Sequence, residues 1–298
     1  MTAEPIPSPS GEQLQAQGAA PERTVAFQGE PGAYSHLACL EALPDMVPLA
    51  CPTFEESFAA VKEGRAARVM TPIENSVYGR VADIHHLLPD SGLFIVAEHF
   101  LRVRHQLLAL KGASLETLTR VMSHAQALGQ CRMHLRSLGL KAVTARIVAE
   151  SDDRTLGALA STLAAEIYGL EILRSDMEDA GHNTTRFLVL SGEPDDAEPE
   201  DGPCITSFVF RVRNVPAALY KTMGGFATNG VNITKLESYQ LEGSFAASQF
   251  YADIEGHPED VPVRRALEEL EFFTKYLKIL GVYKAHPYRR NWAARIGA

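Results

Sequence analysis

Between residues 24 and 190, short apolar runs alternate with longer stretches that repeat every three to four residues. The runs at 24–27, 67–71, 93–101, 105–110, 121–123, 142–145 and 186–190 read as strands. Helices are expected at 34–42, from Thr53 onward, from the end of 121–123 through Leu138, and at 151–168. In the last of these, Leu156, Leu159, Leu163 and Ile167 fall on one stripe. Thr53 and Glu56 have capping-box spacing, and Phe54, Phe58 and Val61 share a face. Pro72 is expected to stop the strand at 67–71. This alternation predicts an α/β domain with a mainly parallel sheet, whose ligands sit beyond the carboxyl ends of the strands.

The rhythm changes after residue 203. Strands are expected at 205–212, 231–241, 244–254 and 277–282, with a hairpin turn at Glu242-Gly243. One helix opens at Pro216, carries Leu219, Met223, Phe226 and Ala227, and ends at Asn229-Gly230; a second spans 261–276. The order βαββαβ predicts a ferredoxin-like sandwich. Between the two patterns lies SGEPDDAEPEDGP, residues 191–203, with no apolar side chain larger than alanine. Such a segment gains little from burial, so it reads as a linker. The division expected is a disordered tail at 1–22, a main domain at 23–190, the linker, a second domain at 204–283 and a C-terminal tail at 284–298.

Composition narrows the classes. The net charge of −9 over 298 residues argues against binding a nucleic-acid backbone, which needs a dense basic surface. No apolar run reaches the length of a membrane-spanning helix, and the N-terminus lacks the basic and apolar regions of a secretory signal. The four cysteines, Cys39, Cys51, Cys131 and Cys204, form no Cys-x-x-Cys pair, so a reduced cytoplasmic setting is the default expectation. The ten histidines show no metal-ligand spacing, and no phosphate loop, dinucleotide fingerprint or nucleophile elbow occurs. No metal and no cofactor are expected.

Four polar clusters remain, each at a strand end. Gln28-Gly29-Glu30-Pro31-Gly32-Ala33-Tyr34-Ser35-His36 is either an anion-holding loop or an ordinary strand–helix turn. Thr71-Pro72-Ile73-Glu74-Asn75-Ser76-Val77-Tyr78-Gly79 groups donors and acceptors after a strand. Ser123-His124-Ala125-Gln126, followed by Gln130, places Ser123 as a helix N-cap, either for capping alone or to meet an anion. His182-Asn183-Thr184-Thr185-Arg186-Phe187 offers a hydroxyl beside a guanidinium fork; the partner of Arg186 is either an internal carboxylate or a substrate.

Taken together and in this order, Gly29-x-x-Gly32-Ala33-Tyr34-Ser35-His36, Pro72-Ile73-Glu74-Asn75-Ser76 with Gly79, Ser123-His124-x-Gln126 with Gln130-Cys131, and Asn183-Thr184-Thr185-Arg186-Phe187 resemble the prephenate dehydratase family. The second domain resembles that family's regulatory ACT module through residues 217–221 and 232–238. The resemblance implies a catalytic domain of two α/β lobes, similar to periplasmic-binding-protein folds, with the site between them. It implies decarboxylative dehydration of prephenate to phenylpyruvate, on the route to phenylalanine, without a cofactor. Thr185 takes the general-acid position, and Arg186 would hold a substrate carboxylate, so Arg186→Lys should weaken binding. Tyr34, Ser35, Glu74, Asn75, Ser76, Ser123, Gln130, Thr184 and Phe187 would line the substrate site, with Glu74 either bracing Arg186 or facing water.

The second domain departs from the family pattern. Ala217-Ala218-Leu219 stands where Gly-Ala-Leu is usual, and Glu237-Ser238-Tyr239-Gln240 where Glu-Ser-Arg-Pro is usual. A phenylalanine site at Ala217, Ala218, Leu219, Asn232, Ile233, Glu237 and Ser238 is one reading, and a purely dimerising domain the other. A homodimer or homotetramer is implied in both. Two rival functions stay open. One is an arogenate dehydratase, favoured by an extra carboxylate such as Glu74 or Glu30. The other is a non-catalytic small-molecule sensor. The tail is too short for a chorismate mutase bundle, so a monofunctional enzyme is expected of the chain as given.

Overall fold

The computed structural model describes residues 19–144, 152–213, 215–240 and 247–290. Expectations for most of the N-terminal tail, for Ala145, for the Glu242-Gly243 turn and for residues 291–298 lie outside the described residues. The chain runs β1 (Thr24–Gln28), α1 (Tyr34–Ala42), β2 (Val47–Cys51), α2 (Phe54–Lys62), β3 (Arg68–Asn75), β4 (Gly79–Arg80), α3 (Ala82–Leu87), β5 (Phe94–Arg102) and β6 (Gln106–Ala109). It continues through β7 (Arg120–Ser123), α4 (Ala125–Gln130), α5 (Arg132–Ser137), β8 (Lys141–Thr144), β9 (Leu156–Ala160), α6 (Thr162–Tyr168), β10 (Glu171–Arg174) and β11 (Thr184–Ser191). The last elements are β12 (Cys204–Val212), α7 (Ala218–Thr228), β13 (Ile233–Gln240), β14 (Ala247–Glu255), α8 (Val261–Phe273) and β15 (Thr274–Lys284).

The chain divides into two compact units. The first takes Met1–Val81 and Phe100–Phe187, the second Ala82–His99 and Leu188–Ala298. The first unit holds two sheets. One starts β2-β1-β3, all parallel, with β4 hairpinned onto β3 and β11 following on the far side of β3. The other runs β10-β6-β9-β7-β8, with β7 parallel to both neighbours and β6 antiparallel to both of its own. Ala26, Cys51, Ala60 and Ala66 make a small core beside the first sheet; Leu107, Val121, Leu128, Leu135 and Met177 anchor a larger one beside the second. Thr53 caps α2 as its spacing predicts, accepting from the Glu56 N–H at 3.2 Å.

Three local expectations are corrected. The helix expected at 151–168 is β9 followed by the short α6. Leu156, Gly157, Ala158 and Leu159 are all buried, so a stripe could not reveal which element they form. Ser161 marks the true helix start, accepting from the Ala164 N–H at 3.1 Å. Pro72 does not end β3: registered pairing with β1 stops at Met70, ahead of the proline, and the strand runs on to Asn75. β2 and β10 escaped notice because both are edge strands, β2 carrying Pro48 and β10 mostly exposed side chains.

In the second unit the sheet order is β13-β14-β12-β15, antiparallel throughout, as βαββαβ connectivity requires. Val263, Ala266, Leu267 and Leu270 of α8 recur at helical spacing and pack with Phe208, Phe210 and Phe226. Gly225 allows α7 and α8 to touch: a β-carbon there would lie 2.9 Å from that of Glu269. The acidic stretch 191–203 is not a free tether. Ala197 N–H donates to Val282 O at 2.8 Å, and Asp196 Oδ1 accepts from Val282 N–H at 2.9 Å.

Ala217 sits at φ +59°, a left-handed conformation that costs an L-residue roughly 1 kcal/mol or more. Ala217→Gly is therefore expected to stabilise the chain by about 1 kcal/mol, read as a raised urea midpoint with an unchanged slope. An unchanged or lowered midpoint contradicts that strain.

Candidate functional site

The site starts where β3 ends beside the beginning of β11. Asn75, the last residue of β3, accepts at Oδ1 from the backbone N–H groups of Val77 and Tyr78, at 2.9 and 3.0 Å. That fixes its amide, because only an oxygen can accept both. Its Nδ2 then donates to Asn183 Oδ1 at 2.8 Å and to Thr185 Oγ1 at 2.9 Å. The Thr185 hydroxyl is thus an acceptor here, and its own proton is committed to no hydrogen bond among the described residues. Ser76 staples the same two strands: its Oγ donates to His182 O at 2.8 Å and accepts from Thr184 N–H at 3.0 Å.

Asn183 is fully buried, and its Nδ2 has no hydrogen-bond partner among the described residues. It lines a cavity of about 190 Å³ shared with Tyr78, Gly129, Gln130, Glu178 and Asp179. Gly129 leaves room there for the Tyr78 hydroxyl, which a β-carbon would displace. An unpaired buried donor costs roughly 1–3 kcal/mol.

Two of the lining residues, Gln130 and Glu178, are held by His105, which is 2 % exposed. Its Nε2 lies 2.6 Å from Gln130 Oε1 and its Nδ1 2.9 Å from the Tyr34 hydroxyl, which also lies 2.8 Å from Arg104 O. Glu178 Oε2 accepts from the His105 N–H at 2.9 Å. Burial pushes the Tyr34 phenol well above its ordinary value, with the nearby Cys131 and Glu178 adding to the rise.

Burial also holds the imidazoles of His105 and His36 below the ordinary value of 6.5, although Gln130 and Glu178 pull His105 partly back. The unfolded chain therefore takes up these protons first. The stability they contribute is fully present above about pH 6.5 and is lost as pH falls towards the folded values. Urea midpoints should decline from about pH 7.5 to about pH 5.5. A flat profile across that range contradicts neutral burial.

Several expected site residues are placed elsewhere. In the Gly29–Gly32 loop the N–H groups are taken up within the protein: Gly29 N–H goes to Cys51 O, Ala33 N–H to Glu30 O, and Gly32 N–H to His36 Nδ1 at 3.0 Å. It is a strand–helix turn, and Gly32 is there for a close approach, since a β-carbon would meet Ala164 backbone at 2.7 Å. Ser123 is not an N-cap. It ends β7, and its Oγ donates to Leu159 O at 2.7 Å, while His124 holds the cap position. Ser35, Thr184 and Phe187 are buried at 8 %, 6 % and 2 % exposure, and Phe187 belongs to the core. Tyr34 serves His105 rather than the cavity wall.

The largest correction concerns Arg186. Successive strand residues project to opposite faces, so Arg186 points away from Thr185. Its side chain is 3 % exposed and donates to Glu74 Oε1 at 3.0 Å. The partner is an internal carboxylate, and Glu74 is the brace. Of the two carboxylates expected to favour an ammonium substrate, neither Glu74 nor Glu30 lines the cavity; Glu178 and Asp179 do. Sequence reasoning did not select Asn183 as a site residue, though it stood inside a noted cluster. It missed His105 and Glu178 altogether, and no motif marked either.

The second-domain candidates lie on α7, its N-cap, β13 and the turn before it. Leu219 and Ile233 pack against the core of that unit. Asn232 Nδ2 donates to Glu255 Oε2 at 3.0 Å, and Glu237 pairs with Lys235 at 3.2 Å.

Fold and site together define a mixed α/β protein whose cavity gathers amide donors and carboxylates, next to a threonine with an uncommitted proton. The family model for prephenate dehydratase matches residues 25–195. A bifunctional N-acyl-homoserine lactone acylase/prephenate dehydratase from Komagataeibacter europaeus is 52% identical over 91% of this chain and 99% of its own. Arogenate dehydratase/prephenate dehydratase 1 from Arabidopsis thaliana is 37% identical, over 87% and 71% respectively. The crystal structure of a prephenate dehydratase from Arthrobacter aurescens, in complex with L-Phe, is 26% identical with a TM-score of 0.79, over 92% of this chain and 99% of that one. The chain belongs to the prephenate dehydratase family of hydro-lyases.

Proposed function

We propose that this enzyme converts prephenate to phenylpyruvate by coupled loss of carbon dioxide and water. One observation carries the reading: the Thr185 hydroxyl accepts from Asn75 Nδ2 and keeps its proton available. As the ring carboxylate departs, its bonding electrons enter the ring and expel the C4 hydroxyl, and the ring becomes aromatic. A hydroxyl leaves poorly as hydroxide, so one proton must reach it; the products are then carbon dioxide, water and phenylpyruvate. Thr185 donates that proton. Asn75 Nδ2, pointed at the same oxygen, stabilises the negative charge that develops on it. A preorganised donor of this kind supports a weak acid that water would not. Asn183 Nδ2 and Gln130 meet substrate oxygens at the cavity wall.

The second unit is read as an ACT-type regulatory module of a cytoplasmic homo-oligomer, with phenylalanine as inhibitor. The βαββαβ sheet and the L-Phe complex of the Arthrobacter aurescens relative support this. At the expected ligand positions Leu219 and Ile233 are partly buried against the core, and Asn232 donates to Glu255.

A second reading, hydrolysis of an N-acyl amide, has one observation in its favour: the 52% identical relative bears that activity in its name. It needs a base beside an attacking water, and Glu178 and Asp179 are the carboxylates at the cavity. The deciding experiment gives the purified protein prephenate, arogenate and an N-acyl-homoserine lactone in parallel. Phenylpyruvate from prephenate at the highest kcat/KM supports the first reading. Preference for arogenate moves the substrate, and acyl release without dehydration overturns the lyase reading.

A further inference from the structure

We infer that His105 is a positioning residue that locks the Gln130 side-chain amide with its NH2 facing the cavity, so that Gln130 presents a fixed donor to an accepting oxygen of the substrate, such as that of a carboxylate or keto group. This deepens the dehydratase reading and rests on it. His105 Nε2 and Gln130 Oε1 are 2.6 Å apart, a separation that suits N–H···O and is short for a bond between two nitrogens. An amide oxygen only accepts, so Nε2 carries a proton. This holds in either charge state. The one phenolic proton of Tyr34 lies between Nδ1 and Arg104 O: with a neutral ring protonated at Nε2 it goes to Nδ1 and Arg104 O goes without it, and with an imidazolium Nδ1 donates to the hydroxyl and the proton goes to Arg104 O.

The ring cannot turn freely. Tyr34 packs edge-on against it, with centroids 5.3 Å apart at 85°, and the His105 N–H is tied to Glu178. Gln130 is held at its other end, where its backbone oxygen accepts from Asp179 N–H at 2.7 Å. Turning the amide over would set donor against donor in a buried place, so Nε2 of Gln130 stays towards the cavity. A substrate hydroxyl could be satisfied by either end of an amide. A fixed donor discriminates only against groups that cannot accept, and it rewards oxygens that cannot donate.

Two measurements test the lock. In the wild-type protein labelled with ¹⁵N-histidine, with His105 assigned by its loss in His105→Gln, Nε2 should be the protonated nitrogen. An unprotonated Nε2 overturns the proposal whatever the activity. In kinetics, His105→Leu should lower kcat/KM on the order of 10-fold, mostly through KM, and His105→Gln, which returns an N–H near the Nε2 position, should recover most of it. In a Gln130→Ala background, His105→Leu should cost nothing further, because its effect runs through Gln130. Losses that multiply show a separate structural role and overturn the lock. A wild-type protein that dehydrates neither prephenate nor arogenate sinks the functional reading instead, and leaves the protonation result to stand by itself.

Discussion

Thr185→Ala is expected to lower kcat for prephenate by about 10²- to 10⁴-fold while KM changes by no more than about 3-fold. The size follows from what a positioned general acid supplies, roughly 3–5 kcal/mol of barrier. The split follows from geometry. Thr185 is half-buried and is tied to the protein through one accepted hydrogen bond. Removing its oxygen leaves Asn183 and Gln130 in place at the cavity, so ground-state binding survives. Thr185→Ser keeps a hydroxyl but loses the methyl that stiffens χ1, and should stay within about 10-fold of the parent. The check is steady-state kinetics on all three proteins, with urea unfolding to show that each is folded. A Thr185→Ala enzyme with parental kcat removes the general acid; one whose loss lies wholly in KM makes Thr185 a binding group.

Much of this arrangement is legible in the sequence. Thr185, Asn75 and Gln130 stood in polar clusters at strand ends, and the family resemblance assigned them to the substrate site; Gln130 lines the cavity, and Asn75 Nδ2 joins Thr185 to Asn183 of its wall. What failed was direction. Thr185 and Arg186 are neighbours in sequence, but a strand sends adjacent side chains to opposite faces. The strand was expected to begin at Arg186, whereas Thr184 and Thr185 already belong to β11. Once the strand begins there, Arg186 and Glu74 must share one side and Thr185 and Asn75 the other. His105 was unreadable for a different reason. It sits beside a short apolar strand like any core histidine, and only folding brings Gln130 and Tyr34 to its two nitrogens. Gly29 and Gly32 failed in the opposite way. They suggested an anion loop, but their N–H groups are taken up inside the turn and by His36. Element boundaries failed where burial hid periodicity, as in β9, or where proline hid an edge strand, as in β2.

Glu74→Ala should cost more stability than Arg186→Met, although each breaks the same ion pair. The two side chains differ in burial, 3 % exposed for Arg186 and 32 % for Glu74. Without Glu74, a guanidinium shut off from water loses its carboxylate, and the desolvation already spent on it is no longer offset, a loss of about 2–4 kcal/mol. Without Arg186, the remaining carboxylate is open enough for water to solvate, and methionine fills much of the vacated space, so the loss is about 0–2 kcal/mol. Urea unfolding of both variants measures the difference, and equal or reversed costs contradict the asymmetry. Turnover supplies the second half of the test. Were Arg186 to grip a substrate carboxylate, Arg186→Lys would raise KM, because an ammonium cannot reproduce the planar fork. With the guanidinium engaged by Glu74 on the face of β11 away from Thr185, Arg186→Lys is expected to lower the urea midpoint and leave KM within about 3-fold. A KM raised by 10-fold or more at parental stability would return Arg186 to the substrate.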